Sequence, residues 1–263
     1  MLQLKRAEWA GLVSVVVLAA LLLVRAPHDP LAYWTIAGSA IMVYAGLQES
    51  DRRDLLWLAV LLPASIFAID GGNITVTSMS HHTLDAVLSR MDSGRSVWFY
   101  HWTLAHGWCQ LILVNGYESL PFFVGFVMST STKRSRCAIA LVIASVVAPL
   151  FYLAFPAVGP AHVGSLTAPR NCMPSLHMTW ALICLMLIEP RLRIVGVLFA
   201  VLTAFATIGT GEHYIVDLAA AVPYTVAVCW IAGRCERWRA SVSRSRLQEA
   251  AGIWKNGSGR VGV

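Results

Sequence analysis

Residues 9–24, WAGLVSVVVLAALLLV, pass without a single charged side chain, and comparable apolar stretches recur near 31–47, 55–69, 137–155, 175–188, 194–210 and 214–233. About 20 apolar residues in a helix cross roughly 30 Å of hydrocarbon, and in lipid the backbone must satisfy its own hydrogen bonds. A chain that is 57% hydrophobic and 13% charged, with mean hydropathy +0.64, lacks the charge of a soluble surface. Soluble domains carry about 25% charged residues. A cytosolic globular enzyme and a disordered chain are both excluded, and the expected class is all-α: a polytopic membrane helix bundle.

Twenty Lys+Arg against fourteen Asp+Glu leave a net charge of +6. The basic residues gather between apolar runs and in the tail from Arg234, a pattern that suits anionic lipid headgroups at a cytoplasmic face rather than nucleic acid. Six cysteines include no CxxC pair, so neither a zinc site nor a disulfide framework is expected, and nothing points to a cofactor.

Residues 97–130 read either as two short spans turning at Asn115-Gly116 or as an interfacial aromatic helix followed by one span from about Trp108. Cytoplasmic loops collect Lys and Arg. With one span the total is eight, and Lys5, Arg6, Arg52, Arg53, Lys133, Arg134, Arg136, Arg191, Arg193 and the basic tail share a face. Only Arg25, Arg90, Arg95 and Arg170 remain opposite. Two spans would weaken that bias, so eight spans with both termini cytoplasmic are expected, in a plasma membrane. Pro27 disfavours cleavage after Val-Arg-Ala, so the first apolar run is expected to be a retained helix. Residues 70–96 read as a polar Gly/Ser/Thr-rich segment ending in an amphipathic helix around HHTLDAVLSRM, and the tail beyond about Ala240 as a coil.

Chemistry concentrates in PRNCMPSLH at 169–177 and GTGEHYIVD at 209–217. Two crossings separate them, so both return to the outer face. His213 and Asp217 are four residues apart and share a helical face, where a carboxylate can fix one imidazole tautomer and leave the other nitrogen as nucleophile or base. The plain alternative is an interfacial His paired with an Asp for local stability. Gly209 and Gly211 permit a tight turn and close approach of a ligand. Ser175 is the expected N-cap of a helix whose free N–H groups suit phosphate, with Arg170 and Asn171 beside it. Arg170 could equally snorkel to lipid headgroups. His177, in the first turn, is placed to protonate a departing alkoxide. Together these residues form a phosphotransfer site that needs no metal.

MPSLH, followed 36 residues after its His by HYIVD, resembles the second and third motifs of the type 2 phosphatidic acid phosphatase superfamily. PSLH in place of PSGH, together with GEHYIVD and the proline-containing FPAVGP at 155–160, is similar to its inositol phosphorylceramide synthase-like branch. The resemblance covers roughly residues 55–233. It implies a six-helix catalytic core there, with two additional helices in 1–54 and a basic tail in 234–263. It also implies His213 as nucleophile, Asp217 as its orienting partner and His177 as acid/base. The family's Ser-Arg before the third motif is here Ala206 and Thr207, and its KxxxxxxRP is absent, which leaves Arg170 as the substitute cation.

The expected activity is transfer of a phospho-headgroup from a lipid phospho-ester to an alcohol or lipid acceptor at the outer face; hydrolysis of a lipid or polyprenyl phosphate is the alternative. Glu118, beside Tyr117, is a candidate substrate contact if it sits within the fourth span. His101 and His106, with Trp98, Trp102 and Trp108, read as an interfacial belt, and His81, His82 and Asp85 as a polar loop. A serine protease pairing Ser175 with His213 lacks GxSG. A transporter or haem protein would place its histidines deep within spans rather than at their ends.

Overall fold

The computed structural model describes residues 5–48, 53–80, 82–165 and 167–257. Among them are eleven α-helices and no strand: α1 (Arg6–Arg25), α2 (Pro30–Gln48), α3 (Arg53–Met79), α4 (Asp85–Met91), α5 (Arg95–Ala105), α6 (Gly107–Glu118), α7 (Leu120–Thr130), α8 (Arg134–Ala154), α9 (Leu176–Leu187), α10 (Arg193–Gly209) and α11 (Ile215–Gly257). Six of them, α1, α2, α3, α8, α10 and α11, are long and apolar enough to cross a membrane. Large apolar side chains such as Val16, Val146, Leu150, Leu198 and Trp230 lie exposed on the bundle, as a lipid-facing surface requires.

The 97–130 stretch resolves into the amphipathic α5 and then α6 and α7, which meet at Ser119 with a 45° bend, the geometry of a broken span or a re-entrant loop. Of the eight expected spans, six are thus long continuous helices and a seventh corresponds to the bent pair. The remaining one, α9, has twelve residues and reaches only about 18 Å. It starts after a long loop and stops before Glu189-Pro190.

Two other expectations change. The third span does not end at residue 69: α3 continues to Met79, because Thr75 and Ser78 hydrogen-bond back to the carbonyls of Gly71 and Thr75 and leave the backbone helical. The expected coil beyond Ala240 is helical to Gly257, since residues 240–253 contain no proline and many helix formers. Residues 258–263, Arg52 and His81 lie outside the described residues.

α2 packs on α7 through backbone contact. A methyl added to Gly125 would stand 2.7 Å from the Gly38 Cα, and one added to Gly38 would run into the Pro121 carbonyl. Small residues allow such approach where lipid supplies no hydrophobic drive between helices. The contact seats Met42 of α2 against the rest of the bundle, whose main core joins α3, α7, α8, α9 and α11. Gly125→Leu is expected to lower thermal stability in detergent by several degrees, overpacking costing about 1–3 kcal/mol or more. Gly71→Ala, where an added methyl meets nothing, serves as the control and should be neutral or slightly stabilising.

Candidate active site

The turn between α10 and α11 carries His213. Gly211 takes the left-handed conformation at φ +78°, and a methyl there would approach Ala161 Cβ to 2.7 Å and Tyr100 Cδ2 to 2.8 Å. Its glycine is thus needed for the turn and for close packing. The Tyr214 N–H donates to Asp217 Oδ2 at 2.8 Å, so the third residue of α11 reaches back to cap the helix start. His213 is 3% exposed and Asp217 fully buried; His213 Nδ1 lies 3.7 Å from Asp217 Oδ2. That separation is longer than a hydrogen bond.

Other segments grip the same turn. The Tyr214 hydroxyl donates to Asp85 Oδ1 at 3.1 Å, and the Asp85 carboxylate also accepts from the Val158 and Gly159 N–H groups. Burial beside Asp85 pushes the Tyr214 phenol well above its usual range, so it remains a donor. The Ile215 N–H donates to Ser96 Oγ, which in turn donates to Asp92. Cys172 Sγ donates to the Glu212 carbonyl, and Ala161 N–H to the Gly211 carbonyl. Asp85 is therefore a buried structural anchor rather than part of a polar loop.

The second histidine arrives through α9. Ser175 is its N-cap, accepting from Met178 N–H, while the Ser175 N–H donates to the Asp217 carbonyl at 3.3 Å. This bond ties the start of α9 to the start of α11 and brings His177 beside His213. The Tyr117 ring stacks on His177 at 3.8 Å between centroids. Both histidines line one cavity of about 250 Å³, together with Glu118, Asn171, Asp70 and Asn73. Asp70 is paired with Arg25 at 3.4 Å.

His177, His213, Asn171 and Glu118 thus face the cavity, with Asp217 packed behind His213. Ser175, Gly211 and Arg170 do not line it. Arg170 is 4% exposed, and its Nη1 donates to the Ala168 carbonyl while its N–H donates to Thr77 Oγ1. It braces the loop before α9 against α3, and no Lys or Arg is among the cavity-lining residues. His101, His106, Trp98, Trp102 and Trp108 are likewise absent from the wall, and His106 stacks on Trp102. Sequence reasoning missed Asp70 and Asn73. Continuing the helical period through Ile66, Ile69, Asp70 and Asn73 places them on one face and would have found them.

A second, apolar cavity of about 370 Å³ lies among α2, α3, α7, α8 and α9. It shares Ile69 and Trp180 with the histidine cavity.

The turn also carries an exposed latch, His162 Nε2 to Glu212 Oε1 at 3.1 Å. The Glu212 hydrogen bond raises the His162 imidazole above its ordinary value of about 6.5. A raised folded-state value means that the latch contributes fully below the unfolded value and is lost as pH rises through the folded one. The difference in melting temperature between the intact protein and His162→Gln is expected to be fully developed below the ordinary imidazole value and to close as the pH rises beyond it. A difference that grows with pH would contradict the assignment.

The sequence model of the PAP2 superfamily matches residues 93–231, just over half of the chain, and the matched region carries His177, His213 and Asp217. No curated protein and no solved structure matches significantly. With its two histidine motifs converging on one cavity of an all-helical bundle, the chain belongs to the PAP2 superfamily.

Proposed function

We propose that the protein is an integral membrane phosphotransferase that moves the phospho-headgroup of a lipid phospho-ester to an alcohol or lipid acceptor through a phosphohistidine intermediate on His213. Membership in a superfamily of phosphatases and phosphotransferases sets the reaction class. The observation that carries the reading is the shared cavity: His177 and His213 face it together, and Asp217 lies behind His213.

In the first step the His213 Nε2 lone pair forms a P–N bond while the P–O bond to the donor's leaving group breaks. The departing alkoxide takes the proton of the His177 imidazolium. Asp217, beside Nδ1, stabilises the charge that His213 acquires. In the second step the acceptor hydroxyl gives its proton to neutral His177, its oxygen attacks phosphorus, and the P–N bond breaks. His213 is then restored. Stabilisation of the phosphoryl oxygens falls to the start of α9, whose Leu176 and His177 line the cavity, and no step calls on a metal. Tyr117 holds the His177 ring flat by stacking.

Lipid as the substrate class is supported by the neighbouring apolar cavity, which offers hydrocarbon-lined space next to the histidines. An outer-face site, cytoplasmic termini and a plasma-membrane location rest on the distribution of Lys and Arg. In this reading the catalytic core is residues 55–233, preceded by two additional helices and followed by the basic tail; the family match lies inside it, from residue 93 to 231. Leu31 nevertheless makes α2 part of the cavity wall. The inositol phosphorylceramide synthase-like motifs favour transfer over hydrolysis. Asn171 and Glu118 are the acceptor or headgroup contacts in this reading.

The test is headgroup or phosphate release from a panel of phospholipids and lipid phosphates in detergent, with and without added alcohols. Release that requires an acceptor and falls by at least about a thousandfold in His213→Ala is expected, with a loss of about a hundredfold or more in Asp217→Asn. Release with water alone would make the enzyme a phosphatase, and activity surviving His213→Ala would overturn the mechanism.

A further inference from the structure

Cys172 has no part in the transfer chemistry, yet its sulfur lies close to the nucleophile His213 and to Asp217, which orients it. Sγ, a ring nitrogen of His213 and a carboxylate oxygen of Asp217 all fall within 4.8 Å of one another, and all three residues are buried. His213 Nδ1 and Asp217 Oδ1, both shielded from water, have no hydrogen-bond partner. A ring nitrogen and a carboxylate oxygen without partners thus lie beside a thiol whose only hydrogen bond among those described is the one it donates to the Glu212 carbonyl, and a shift of the ring proton from Nδ1 to Nε2 turns the nitrogen into a ligand. A buried acceptor without a donor is costly, and a cation placed between these atoms would satisfy both at once.

From this geometry we infer that Cys172, His213 and Asp217 form a binding site for a soft divalent cation, Zn²⁺ or Cd²⁺, whose occupancy shuts down transfer. One sulfur, one imidazole nitrogen and one carboxylate oxygen make the three-ligand set of such a metal, leaving a fourth position for water, whereas Mg²⁺ and Ca²⁺ require oxygen ligands throughout. Of the three residues His213 alone is part of the histidine cavity's wall, so a cation enters past its ring. Binding displaces the Cys172 thiol proton to solvent and forms the sulfur–metal bond. Coordination at His213 Nδ1 leaves the remaining ring proton on Nε2. The lone pair that would attack phosphorus is then occupied by that proton, and Asp217 is drawn to the metal. The site is inhibitory for this reason; the inhibition rests on the transfer mechanism proposed above, while metal binding itself does not.

The experiment titrates Cd²⁺ into the detergent-solubilised full-length protein and follows thiolate-to-cadmium charge-transfer absorbance. The other five cysteines supply a background, so the reading is the difference between the intact protein and Cys172→Ser, or Cys172→Ala if the serine variant is not recovered folded. One saturable equivalent that disappears with Cys172, and whose affinity falls at least about tenfold in His213→Ala, is expected. In parallel, the Zn²⁺ concentration that halves each protein's own metal-free turnover is at least about tenfold higher for Cys172→Ser than for the intact protein, with EDTA restoring the latter. An undiminished band in the Cys172 variants, or unchanged affinity in His213→Ala, overturns the site. Equal Zn²⁺ sensitivity of the intact protein and Cys172→Ser overturns the inhibition. The absorbance reading needs no turnover, so it decides the metal site even if His213 proves not to be the nucleophile.

Discussion

Asp217 serves two demands at the same place. One oxygen caps α11 through the Tyr214 N–H, and the same oxygen stands 3.7 Å from the His213 ring. Its main-chain carbonyl meanwhile accepts the Ser175 N–H. One residue therefore starts the last helix, backs one histidine and fixes the segment that delivers the other. The local geometry of helix capping is what brings two motifs 36 residues apart onto one cavity.

The site is built where the helices are irregular. α9 begins late, after a loop folded over the bundle end; α6 and α7 break at Ser119 and turn Tyr117 and Glu118 inward; and α10 hands over to α11 through a left-handed glycine. Non-helical backbone near a membrane survives only when protein satisfies its polar groups. Here the satisfaction comes from buried side chains: Asp85 on Val158 and Gly159, Ser96 on Ile215, and Cys172 on Glu212. A small apolar cluster of Leu88, Ala157, Cys172 and Tyr214 packs these segments together. The rigidity of the turn that carries His213 thus comes from the loops as much as from the spans.

What the sequence made legible was local. Helix starts announce themselves through Ser175, the i,i+4 spacing of His213 and Asp217 is itself a helical fact, and the apolar runs mark the long helices. The bend after Glu118 and the short α9 were harder, because hydropathy counts apolar residues without seeing where the axis turns. Polar composition misled at residues 70–79, where serine and threonine hydroxyls bond to their own helix. Contacts between distant positions were invisible: Asp85 and Tyr214 are 129 residues apart. Arg170 shows the limit of reading charge by proximity. It neighbours the motif in sequence, but the backbone around it directs the guanidinium to Ala168, away from the cavity wall.

The central claim is that His213 carries the phosphoryl group. The most direct measurement is rapid quench of the intact protein with a phosphorus-labelled lipid donor and no added acceptor, followed by peptide mapping under alkaline conditions, where phosphohistidine survives. With no acceptor to resolve the intermediate, the account predicts that label accumulates on the peptide containing His213, is released by mild acid and is absent from His213→Ala. Label on another residue, or turnover with none bound covalently under any quench, would contradict it.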